Sequence, residues 1–193
     1  MRRTLPVLIA LAFVVSACDS AVDAPIPGDD VAPGFTAEVS GDLDRSLTGA
    51  ATTSTLGGTG ISVEVADGGA VTALLLEADD AADRFAFVGV TEGPLAPGTY
   101  TLAGIGSRLG AGDFYVGYTF EVEDGDRPAT SVAIADEGTV TITRADEDEI
   151  AGSFAFTARA VTGYADGAPE LGNLTLEGEF VVDVREFDRG GER

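Results

Sequence analysis

The sequence predicts an all-β protein, a single antiparallel β-sandwich or barrel of about nine or ten strands. Three observations support this class. From Gly34 onward, apolar and polar residues alternate in short runs, which is typical of strands with one buried and one solvated face. Gly, Asp and Pro clusters separate these runs at turns. The one helical candidate, residues 79–84, is too short to form a stable helix.

The clearest alternating runs set the expected strands in chain order. They are residues 61–65, 114–122, 139–143, 153–159 and 174–184, with turns at 67–69, 94–98, 123–126 and 165–167. In the second run, Phe114 and Val116 share an apolar face, whereas Tyr115 and Gly117 lie on the other. Two interpretations of Tyr115 and Gly117 stay open: they line a shallow ligand or partner surface, or they face a second sheet.

The first 17 residues have the pattern of a secretory signal. Arg2 and Arg3 precede the apolar run 5–15, which is shorter than the about 20 residues of a transmembrane helix. The following Val15-Ser16-Ala17-Cys18 resembles the bacterial lipobox, and this resemblance implies cleavage before Cys18 and lipidation of its thiol. A disulfide has no second Cys, and a nucleophilic thiol has no His as its base.

The remaining chain divides into three parts. Residues 18–33 comprise the lipidated Cys18 and a tether. The tether contains three prolines and four aspartates, which keep it extended. At roughly 3.3 Å per residue, this tether reaches about 50 Å. Residues 34–188 form the predicted β-domain, and residues 189–193 are a frayed tail.

The composition is strongly acidic. The formal net charge is −22, and it becomes −24 when cleavage of the leader removes Arg2 and Arg3. The chain contains no Lys, His or Trp. Such a surface repels phosphate backbones, so we expect no nucleic-acid partner. Adaptation to high salt or a GC-rich genome explains this composition, and the alternative is a surface that collects cations or basic partners.

A succession of short motifs follows the lipobox. The motifs are GTY at 98–100, GTVTIT at 138–143, IAGSFAFTA at 150–158 and GEFVV at 178–182. This order resembles small β-rich lipoproteins of Bacteroidota-type bacteria, whose function is unknown. The resemblance implies a β-domain on a lipid anchor and assigns no catalytic residue.

Few combinations of side chains in this sequence could support catalysis or metal binding. Ser-His-Asp catalysis is excluded without His, and no catalytic residue or resident cofactor is predicted. A hydrolase that uses a pair of carboxylates is an alternative function, because the chain has 33 acidic residues. The aromatic residues on which a sugar would stack are scarce, with no Trp and four Tyr. Calcium is a second alternative, because turns supply hard oxygens, and Asp124 and Asp126 in the turn 123–126 are its best candidates. The acidic runs 79–83 and 146–149 are weaker candidates, and 146–149 fits an exposed hairpin tip.

The sequence therefore predicts a non-enzymatic structural or interaction module of the bacterial cell envelope. The lipid on Cys18 would hold it to a membrane, with the leaflet left open, and envelope proteins would be its partners. A calcium- or small-ligand-binding surface module is the second hypothesis.

Overall fold

The computed structural model describes residues 32–54, 70–104, 109–124, 127–162 and 172–184, and these form one all-β domain. The described residues contain nine strands, in agreement with the predicted class. The strands are β1 (Gly34–Gly41), β2 (Arg45–Thr53), β3 (Ala70–Ala78), β4 (Arg84–Thr91), β5 (Gly98–Leu102), β6 (Asp113–Asp124), β7 (Arg127–Ala145), β8 (Glu149–Thr162) and β9 (Asn173–Asp183).

The sheet closes on itself, so the sequence alternatives of sandwich and barrel resolve to a barrel. The strand order is β1-β2-β3-β4-β6-β5-β7-β8-β9, and β9 pairs back with β1. All neighbours are antiparallel except β5 and β6, which run parallel over a short stretch. Closure pairs the edges that an open sheet would leave available to other chains.

Strand β7 bends to close the barrel. It pairs first with β6 and then with β5, and its pairing with β8 contains three register shifts. Gly138 lies in the bend with a φ of 143°, and a Cβ there would lie 2.4 Å from the carbonyl oxygen of Ala155. A residue with a side chain would therefore disrupt the bend.

Aromatic rings fill the barrel interior. Phe85 contacts the ring of Tyr118 at a centroid distance of 4.7 Å and that of Phe154 at 5.5 Å. A Cβ on Gly178 would lie 2.6 Å from Cζ of Phe154, so this strand lacks a side chain where the ring packs. The interior side chains thus occupy the space that an open barrel would offer to a ligand.

The outer face of the barrel has two different halves. On β9, Thr175, Glu177 and Glu179 point outward and are exposed, as the alternating pattern predicts. On β4, Val88 also points outward, because it alternates with Phe87, yet none of its surface is exposed. One part of the wall therefore differs from the expected solvated face.

The predicted turns are confirmed in part. Residues 146–148 are exposed and connect β7 to β8, as expected for the acidic hairpin tip. Residues 79–83 form a turn between β3 and β4 rather than a helix. The predicted strand 61–65 and the turns 67–69 and 165–167 lie outside the described residues.

Candidate functional site

The two functional predictions with residue numbers remain predictions. Cys18 and Asp126 lie outside the described residues, and of Asp124 only the backbone position is described. Asp124 is the last residue of β6 and lies opposite Arg127, the first residue of β7. The register therefore places a cationic residue opposite Asp124, one of the two proposed calcium ligands.

The most concentrated polar chemistry lies inside the barrel, at Asp83. This carboxylate is 1% exposed although it belongs to the turn between β3 and β4. The Tyr118 hydroxyl donates a hydrogen bond to Asp83 Oδ1, and Arg45 donates from Nη1 to Asp83 Oδ2. Arg45 also donates from Nη2 to the carbonyl oxygen of Glu121. One buried acid thus connects the turn to the first residue of β2 and to the middle of β6.

The cluster stabilises the neutral form of Tyr118. Burial raises the pKa of the Tyr118 hydroxyl above its usual value of 10, and the hydrogen bond and negative charge of Asp83 raise it further. Arg45 acts in the opposite direction with a smaller effect. Tyr118 therefore serves as a hydrogen-bond donor to the carboxylate rather than as a base.

Ser131 is a second polar group of the interior. It lies opposite Phe120 in the β6–β7 ladder and has no exposed surface. Its Oγ has no hydrogen-bond partner among the described residues. A buried hydroxyl without a partner costs about 1–3 kcal/mol, and a single water molecule is the usual remedy.

A shallow acidic groove lies on the polar half of the outer face. Glu38 and Glu177 are directly opposite each other on β1 and β9, and Glu179 follows two residues later on the same face. With Ser153 and neighbouring residues they line a groove of about 340 Å³. Like charges placed directly opposite one another destabilise a strand pair, and salt screens this repulsion.

The other acidic turns use their carboxylates within the fold. Asp79 Oδ2 accepts from Thr48 Oγ1 at 3.2 Å, and Asp80 Oδ1 accepts from the Ala82 amide at 3.1 Å. Asp146 Oδ1 accepts from the amides of Asp148 and Glu149. In the part of the chain that the structure describes, no three acidic, His or Cys side chains are grouped to hold a metal ion.

The structure places Tyr115 on the outer face and not against a second sheet. It lies opposite Val88 of β4, and burial raises the pKa of its hydroxyl. The sequence alternation located this outward position correctly. Sequence reasoning missed the Asp83 cluster, because Asp83 belongs to an acidic run and gives no signal of burial.

Comparisons with protein families, with curated proteins and with solved structures gave no significant match. The resemblance to small β-rich lipoproteins therefore stays a prediction from the sequence motifs. Among the described ranges, no helix is long and apolar enough to cross a membrane.

Proposed function

We propose that this protein is a lipid-anchored β-domain of the bacterial cell envelope with a non-enzymatic structural or interaction role. The observation that carries the proposal is the order Val15-Ser16-Ala17-Cys18 behind a short positively charged and apolar leader. The diacylglyceryl thioether on Cys18 and the acyl group on its new amino terminus would insert into a membrane. Several acyl chains anchor stably, because each buried CH₂ contributes about 0.8 kcal/mol.

The tether and the barrel would then act as a spacer and a rigid platform. The described chain enters the barrel at Gly34, the first residue of β1. Phe35, Gly49 and Ala78 lie in one row across β1, β2 and β3, so the turn at 79–83 begins two strands away from the start of β1. An extended tether would hold the barrel away from the membrane surface, where its outer face could meet other envelope components.

The packed interior supports an interaction role for the outer surface. Phe85, Phe87 and Tyr118 have no exposed surface and occupy the barrel centre. The accessible chemistry lies outside, in the groove of Glu38, Glu177 and Glu179. An acidic groove of this kind favours binding of envelope proteins with basic surfaces over binding of nucleic acids.

Metabolic labelling with a palmitate analogue tests the anchor. The full chain, produced in a bacterium, is expected to carry the label and to fractionate with membranes. The Cys18→Ser variant is expected to lose both, whereas the matched Ser16→Ala variant keeps the small-residue pattern and both properties. Label in the Cys18→Ser variant, or an unlabelled wild-type chain, would contradict the proposal.

A further inference from the structure

Closure of the barrel leaves short lengths of strand edge without a partner strand where β3 and β4 end. β2 pairs with β3 only from Gly49 onward, and β6 pairs with β4 only as far as Thr119. Among the residues that the structure describes, 45–48 of β2 and 120–124 of β6 therefore have a neighbouring strand on one side only. These two lengths and the turn 79–83 between them are called the rim notch below.

The side chain of Arg45 occupies part of the place of the missing strand. It donates from Nη2 to the Glu121 carbonyl oxygen and from Nη1 to Asp83, which is 1% exposed. Backbone groups of successive residues in a strand point to opposite edges, and the Phe114 carbonyl oxygen accepts from the Ala103 amide on the β5 side. The ladders of β6 contain no register shift, so Glu121, seven residues further along, directs its amide and carbonyl to the edge in the notch.

The notch is open to solvent on both sides. The Thr48 carbonyl oxygen accepts from the Asp79 amide, so Ser46, two residues earlier on β2, directs its backbone groups into the notch as well. Exposed side chains border the notch at Ser46, Thr48, Asp79 and Glu121. An exposed strand edge is a template on which another chain adds a strand through main-chain hydrogen bonds.

The charge around the notch selects the kind of segment that fits this edge. Exposed acidic side chains border it, at Asp44, Asp79, Asp80 and Glu121. Asp79 accepts from the Thr48 hydroxyl, which is uncharged, whereas the cation of Arg45 is compensated by Asp83. A second copy of this chain, with its formal charge of −22, would be repelled, and a basic segment would be attracted.

We propose that the rim notch binds an extended basic segment of a partner protein, which adds as a strand to the exposed edge of β6. A backbone amide of the partner replaces Arg45 at the Glu121 carbonyl oxygen, and Arg45 keeps its bond to Asp83. Main-chain hydrogen bonds supply affinity in this mode of recognition, and the arginine or lysine side chains of the segment lie beside the acids of the notch. This site rests on the proposed interaction role and does not depend on the lipid anchor.

Two peptides test whether the strand edge is the binding site, in the full chain carrying Cys18→Ser. The first is a short fluorescent peptide that alternates arginine with threonine, and the second is the same peptide with every backbone amide methylated. Both have the same charge, but only the first has amides to donate. Fluorescence anisotropy is expected to show binding of the first peptide at least about tenfold tighter than that of the second.

The possible failures have different meanings. Equal binding of the two peptides would overturn the strand-edge site and leave a basic partner at another surface, as the proposed function requires. Binding of neither peptide would overturn the strand-edge site and would also count against basic partners. The palmitate label on Cys18 tests the anchor separately from both results.

Glu121→Pro tests the same edge from the protein side. Proline removes the amide that faces the notch and keeps the hydrogen bonds of β6 to β7, so the first peptide should bind at least about tenfold more weakly. Glu121→Gln removes only the charge and should weaken binding less, and Glu147→Gln, at the exposed β7–β8 tip, should have no effect. A loss with Glu147→Gln equal to that with Glu121→Pro would show charge attraction alone and overturn the site. Far-ultraviolet circular dichroism checks that each variant keeps the barrel, and the peptide pair decides the question in the native fold if Glu121→Pro does not.

Discussion

Replacement of Asp83 by alanine tests whether the buried polar cluster holds the barrel together. The change removes the acceptor of the Tyr118 hydroxyl and the partner of Arg45. Tyr118 has no exposed surface, so its hydroxyl would be left without a partner in the interior. Arg45 is one-quarter exposed and can recover part of its hydration.

The expected loss follows from these two partners. Breaking a buried ion pair by removing one member costs about 3–5 kcal/mol, because the remaining charge is uncompensated. The partial exposure of Arg45 places the expected loss near the lower limit, about 3 kcal/mol. The Asp83→Asn variant keeps an acceptor for Tyr118 and should lose less than Asp83→Ala.

Urea unfolding followed by circular dichroism measures this loss, with Asp80→Ala as the matched control in the same turn. Among the described residues, Asp80 accepts one hydrogen bond, from the local Ala82 amide, so its removal should cost about 1 kcal/mol or less. Asp83→Ala combined with Tyr118→Phe should cost less than the sum of the two single changes, because both remove one hydrogen bond. An Asp83→Ala variant as stable as Asp80→Ala would refute the assigned role of the cluster.

Three further predictions concern pH, packing and salt. The pKa of Tyr118 is raised in the folded state, so its contribution to the free energy of unfolding is fully present below about pH 10. Above that pH the unfolded tyrosine ionises, and the free energy of unfolding falls by up to about 1.4 kcal/mol per pH unit. In urea melts the Tyr118→Phe variant should show a smaller fall with pH, and an equal fall would contradict this. Gly178→Ala places a methyl against the Thr36 carbonyl oxygen of the neighbouring strand and against the Phe154 ring, and it should destabilise by about 1–3 kcal/mol in the same assay. A neutral effect would contradict the close packing of β1, β9 and this ring. Calcium and sodium chloride at matched ionic strength should raise the melting temperature equally if the acids form a screened surface; a calcium-only rise that Asp124→Asn with Asp126→Asn abolishes would instead establish the turn 123–126 as a calcium site.

The alternating pattern located four of the nine described strands, β6 to β9, because an antiparallel strand obeys a local rule. An antiparallel strand with one buried face has a period of two, so Phe114, Val116 and Tyr118 marked their own inward face. The exposed hairpin tip at 146–148 was also predictable from the local sequence, because a run of four acidic residues is stable only in solvent. The buried polar cluster at Asp83 could not be predicted from the neighbouring residues, because aspartates also occur in solvated turns throughout this chain.

The sequence by itself determined the all-β class, the strand faces and the lipobox pattern at Cys18, since each depends on residues that are close together in the chain. Only the tertiary structure decided that the sheet closes into a barrel, because closure depends on the pairing of β9 with β1 across the whole domain. Only the tertiary structure also decided that Asp83 is buried against Arg45 and Tyr118, which lie 38 and 35 residues away. Burial is a property of what surrounds a side chain, and for these residues the surroundings come from distant strands.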